Sequence, residues 1–88
     1  MNTSELFCIN FNGVKGGVYR YRFYVVVDRM TDGSFIMEWL VYSSQLVNKS
    51  GEDILNATNA CDAIRAGIDK YHELLEKYGE FLPKEFQP

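Results

Sequence analysis

The chain has 88 residues, 47% of them apolar and 15% aromatic, with a formal net charge of -3 and a pI near 5.0. That length supports one hydrophobic core, so a single domain over residues 1–88 is expected, and the apolar content excludes a disordered chain. The acidic balance gives no general attraction to nucleic acid or to anionic membrane, whose binders carry a basic excess.

Met1 to Glu5 is polar and carries an acid but no base, unlike a secretory leader. No stretch approaches the roughly 20 apolar residues of a membrane-spanning helix, and the expected compartment is the cytoplasm. Residues 6–11 alternate, Phe7, Ile9 and Phe11 against Leu6, Cys8 and Asn10, which predicts a first strand. Asn12 to Gly17 then reads as a hairpin loop, with three glycines in six residues.

Residues 18–28 predict the longest strand, placed centrally. Tyr19, Tyr21, Phe23, Val25 and Val27 lie on one side, Arg20, Arg22, Tyr24 and Val26 on the other. Thr31-Asp32-Gly33 predicts a tight turn whose type follows from parity, because a one-residue slip turns a whole apolar set to the wrong face. A two-residue Asp-Gly loop pairs Val27 with Glu38. A type I turn with Gly33 as a left-handed bulge instead pairs Val27 with Met37, Val25 with Trp39 and Phe23 with Val41. The second is expected and yields a third strand over 34–43.

Residues 44–56 mix signals. Leu46 and Val47 suit an extension of the third strand, 48–51 a loop, Ser50 to Asp53 a helix-start box, and Ile54-Leu55 a short turn. From about Ala57 to Tyr78 the spacing is helical, with Ala57, Cys61, Ile64, Ile68, Tyr71, Leu75 and Tyr78 on one stripe. Thr58 or Asn59 is the expected N-cap, and Gly79 the C-cap. Small residues in its first half, among them Ala60, Ala63 and Gly67, suit close approach to a sheet. The expected fold is therefore α+β: a three-stranded antiparallel meander (about 6–11, 18–28 and 34–43) with one long amphipathic C-terminal helix (about 57–78) packed on one face. A tail, 80–88, carries Phe81, Leu82 and Phe86, apolar surface enough to dock on the body of the domain, folding over the second face of the sheet, or on a partner.

Groups that carry chemistry are sparse. His72 is the lone histidine, and Cys8 and Cys61 fall on different predicted elements without metal-ligand spacing; both are expected as buried free thiols. Asp62, Asp69, Glu73, Glu76 and Glu80 share a helix face, with Arg65–Asp69 and Glu73–Lys77 at the spacing of ordinary helix pairs. The glycines at 13, 16 and 17 lie between two strands, whereas a phosphate loop leads from a strand into a helix. No catalytic residue, cofactor or metal site is expected.

The second face of the sheet is the candidate partner-binding surface: Arg20, Arg22, Tyr24, Val26, Ile36, Glu38, Leu40 and Tyr42. One helix cannot cover both faces of a sheet, contiguous exposed apolar area marks interaction sites, and tyrosine and arginine dominate binding hot spots. The expected function is a non-enzymatic protein-interaction domain. It is envisaged as a small inhibitor or accessory protein of the kind phages and mobile elements carry, acting on itself as a homodimer or on another protein. The expected β-β-β-α arrangement also resembles the AP2-type and integrase arm-type DNA-binding domains. That resemblance implies a sheet entering the major groove with Lys15, Arg20, Arg22 and Arg29 as contacts. Asp28 and Glu38 share the face of the strand arginines and repel phosphate, so nucleic acid is the disfavoured partner.

Overall fold

The computed structural model describes residues 3–17, 19–44 and 46–82. Four strands, β1 (Ser4–Lys15), β2 (Tyr19–Arg29), β3 (Phe35–Ser43) and β4 (Val47–Leu55), form one antiparallel sheet in the order β1-β2-β3-β4. Helix α1 (Ala60–Tyr78) crosses one face, and a 3-10 turn (Gly79–Phe81) follows it. The principal extents of 43 × 26 × 18 Å are those of a long two-layer slab. The α+β class agrees with the sequence reading, but the sheet has four strands and not three.

The β2–β3 hairpin follows the parity argument. Val27 pairs with Met37, Val25 with Trp39 and Phe23 with Val41. The Gly33 amide donates to the Met30 carbonyl, the Met30 amide to the Ser34 carbonyl, and Gly33 takes φ +89. The Asp32 carboxylate accepts from the Ser34 amide and hydroxyl at 2.9 and 2.6 Å, and these bonds hold its carboxyl below the ordinary value.

β1 continues to Lys15 instead of stopping at Phe11, so Gly13 lies inside a strand and only Gly16 and Gly17 adopt positive φ in the turn. The Tyr21 ring lies across Gly13: an added Cβ there would sit 2.6 Å from the Tyr21 hydroxyl oxygen. On the opposite edge, a Cβ at Gly51 would sit 2.6 Å from Nε1 of Trp39, its partner on β3. Each edge strand thus has a glycine roofed by an aromatic side chain of its inner neighbour, a device that compensates for the missing glycine side chain.

β4 overturns the reading of 48–51 as a loop, 50–53 as a helix start and 54–55 as a turn. Its pairing with β3 runs from Ser43–Val47 to Phe35–Leu55. Only Val47 is buried, and Leu55 and Gly51 are half-buried. Such an edge strand is held by its backbone ladder and guarded by charge, so it carries no alternating apolar signal.

The helix begins at Ala60, three residues later than expected. The side-chain oxygen of Asn59 accepts from the Asp62 amide at 2.9 Å, while Asp62 places a carboxylate in the positive first turn. Its buried face is rotated from the predicted stripe: Ala63, Gly67, Leu74 and Leu75 are buried, whereas Cys61 and Ile68 are exposed. The reason is close approach. A Cβ at Gly67 would stand 2.7 Å from Val27 Cγ2 and 2.9 Å from Phe7 Cδ2, so the small residues set which side faces the sheet. Gly79 is right-handed (φ -58), not the left-handed cap expected, and its amide donates to the Leu75 carbonyl as the chain winds into the 3-10 turn.

Phe23, Val25, Val27, Phe35, Met37 and Val41 form the sheet side of the core against Ala63, Leu74 and Leu75. The Tyr71 ring meets Phe23 edge-on at 5.7 Å. Burial of such side chains stabilises by roughly 1.5–3 kcal/mol each, and all of it lies on one side of the sheet.

Candidate functional site

The other side of the sheet is built from the alternate residues of the same strands. Its centre is the row Asn10, Tyr24, Leu40, Ser50, each paired with the next across the sheet. Towards one end come Asn12, Arg22, Tyr42, Asn48 and then Val14 with Arg20. Towards the other come Cys8, Val26, Glu38, Glu52 and then Glu5, Asp28, Ile36, Ile54. All eight residues predicted for this surface share it: Arg20 and Arg22 are exposed, and Tyr24, Val26, Ile36, Glu38, Leu40 and Tyr42 are half-buried.

The charges divide by end. Arg20 and Arg22 occupy one end, with the Arg22 guanidinium 5.4 Å from the centre of the Tyr24 ring. Beside them opens a hollow of about 440 Å³, lined in part by Asn12, Arg20, Arg22 and Tyr42. The opposite end gathers Glu5, Asp28, Glu38 and Glu52, and Glu38 stands directly across from Glu52. Like charges so placed destabilise a sheet unless a cation comes between them. Cys8 lies at this end, and partial desolvation, followed by the nearby carboxylates of Glu5 and Asp28, pushes its thiol up.

The sequence reading missed the outer columns of this face. Those from β1 were legible in its alternation, but Glu5, which completes the acidic end, lies beyond the predicted start of the strand and before a register shift at Glu5/Phe7. Those from β4 needed the strand itself.

Nothing among the described residues covers the face. Leu82 is buried in the helix-side core and Phe81 packs against it, so the tail docks with the helix as far as it is described; Phe86 lies outside the described residues. Tyr19 pins it there. Its hydroxyl donates to the Phe81 carbonyl and accepts from the hydroxyl of Ser43, which is fully buried. Of the four large apolar side chains that stand exposed among the described residues, Val14 (52%) and Ile54 (80%) belong to the edge strands, Leu46 (58%) to the turn between β3 and β4, and Ile68 (40%) to the helix.

Apart from Cys8, which lies on this face, the remaining candidates sit away from it. Cys8 and Cys61 are free and exposed, against the expectation of buried thiols. His72 is exposed beside the Tyr71 ring. Glu73 receives both Lys70 at 3.1 Å and Lys77 at 3.5 Å, while Arg65 and Asp69 form no ion pair with each other. Lys70 also lies 5.5 Å from the centre of the Trp39 ring. Among the described residues no three His, Cys, Asp or Glu side chains are grouped as metal ligands, and no helix is long and apolar enough to cross a membrane. The chain matches no protein-family model, no curated protein and no solved structure.

Proposed function

We propose that this chain is a non-enzymatic protein-interaction domain of the cytoplasm, a small inhibitor or accessory protein of the kind phages and mobile elements carry, which binds protein through the open face of its sheet. One observation carries the reading. The helix and the described part of the tail lie together on one side, leaving Tyr24, Val26, Ile36, Leu40 and Tyr42 as a contiguous apolar and aromatic strip on the other. A strip of this kind bordered by charge has the make-up of an interface core with its polar rim. The acidic row on the same face repels a phosphate backbone, which disfavours the nucleic-acid alternative.

A photo-reactive phenylalanine analogue tests the reading. At position 42 it should form covalent adducts with protein in the cells that make this chain, and at position 69, on the outer face of the helix, it should form none. Absence of adducts at 42, or equal yields at both positions, would overturn it.

A further inference from the structure

Resting on that reading, the geometry points to a second copy of this chain as the occupant of the open face, in one orientation. Two identical sheets can stack face to face through a two-fold axis in the plane between them, either along the strands or across them. An axis along the strands puts the arginine end of one copy over the arginine end of the other. An axis across them, along the row Asn10, Tyr24, Leu40, Ser50, sets each arginine end over an acidic end.

The register permits close matching in that second arrangement. Arg20 lies four residues from Tyr24 in one direction and Asp28 four residues in the other, so Arg20 of each copy stands over Asp28 of its partner. Tyr42 and Glu38, two residues either side of Leu40, are matched in the same way, with Arg22 one strand away. The hollow beside Arg20, Arg22 and Tyr42 then receives the acidic end of the other copy, and the Glu38–Glu52 pair gains a cationic neighbour.

From Arg20 to Asp28 the face runs about 26 Å, and across four strands about 19 Å. That is roughly 500 Å² in plan, and its corrugation brings it towards the ~800 Å² of accessible surface per partner found in stable interfaces.

The test is charge exchange within one chain, read by light scattering over a concentration series at low salt. The parent chain should dimerise at tens of micromolar or tighter and weaken as salt rises. Arg20→Glu and Asp28→Arg should each raise the dissociation constant at least about tenfold. The double variant should return to within about threefold of the parent, because each swapped residue again meets its opposite across the axis. Within one copy the two positions are about 26 Å apart, too far for the swapped charges to compensate each other through water, so restoration is intermolecular and persists at about 0.1 M salt, where the Debye length is about 10 Å. Both side chains are outside the core, and circular dichroism verifies that the variants fold.

A bismaleimide should join Asn10→Cys to itself and Ser50→Cys to itself in a Cys8→Ser, Cys61→Ser background. Linkage only between Asn10→Cys and Ser50→Cys would mean the other axis and overturn the arrangement. So would a dimer indifferent to the swaps, or a monomer at about 1 mM, far above any working concentration. If that monomer still gives adducts at position 42, the face binds a different protein and the wider reading stands; without them both fall.

Discussion

At the scale of single residues, glycine is used here for space as much as for backbone freedom. Gly51 and Gly67 do not need positive φ; they lie where another side chain already occupies the room a Cβ would take. At Gly51 that side chain is the indole of Trp39, whose buried Nε1 has no hydrogen-bond partner. Gly51→Ala should therefore cost about 1–3 kcal/mol by overpacking, although an exposed edge strand ordinarily favours alanine over glycine. Because Trp39 is the sole tryptophan, its emission should shift to the red as the ring is displaced. Gly67→Ala should cost a similar amount by pushing the helix off Val27 and Phe7, against the gain of up to ~1 kcal/mol that alanine brings within a helix. Urea unfolding measures both; a stabilising result at either position would contradict the close approach.

At the scale of elements, the polar bridge from β2 to Phe81 holds the described part of the tail. Tyr19 joins the buried Ser43 hydroxyl to the Phe81 carbonyl, and Leu82 is seated in the core just beyond it. Tyr19→Phe removes a partner from a buried hydroxyl and a donor from a carbonyl, and should cost about 1–3 kcal/mol. Adding Ser43→Ala removes the orphaned hydroxyl as well, so the double variant should be more stable than Tyr19→Phe alone. Hydrogen exchange at the Leu82 amide, which donates to the Gly79 carbonyl at 3.0 Å, reports whether the tail loosens. Exchange unchanged in Tyr19→Phe would show that the apolar seat suffices without the bridge.

At the scale of the whole molecule, the sheet has two unlike faces, and adjacent residues of one strand report the difference. Val25 is fully buried under the helix, while its neighbour Val26 is half-buried on the open face. Val25→Thr places a hydroxyl in the core and should cost about 1–3 kcal/mol. Val26→Thr, measured at a protein concentration well below the dimer dissociation constant, should fall within about 0.5 kcal/mol of the parent, as surface changes do. Equal costs would mean that the chain itself covers the second face. The same asymmetry explains why an acidic chain can present a locally basic end: Arg20 and Arg22 follow the alternation of one strand, and net charge says nothing of it.

By itself the sequence determined the register of β2 on β3, the presence of one amphipathic helix and the eight residues that share the open face. These follow from periodicity and from a turn whose geometry couples neighbouring strands, both local to the chain. Only the tertiary structure decided that Val47–Leu55 is a strand, because β3 supplies its hydrogen bonds and Trp39 calls for a glycine opposite. It also decided the rotation of the helix. Cys61 and Ile68 fit an apolar stripe as well as Ala63 and Gly67 do, and the contest was settled by how near the backbone comes to Val27 and Phe7. The exposure of Cys61 follows from that rotation, and that of Cys8 from its place on the uncovered face. The acidic end of the open face came into view last, because two of its four members, Glu5 and Glu52, stand on edge strands whose extent depends on their neighbours and not on their own pattern.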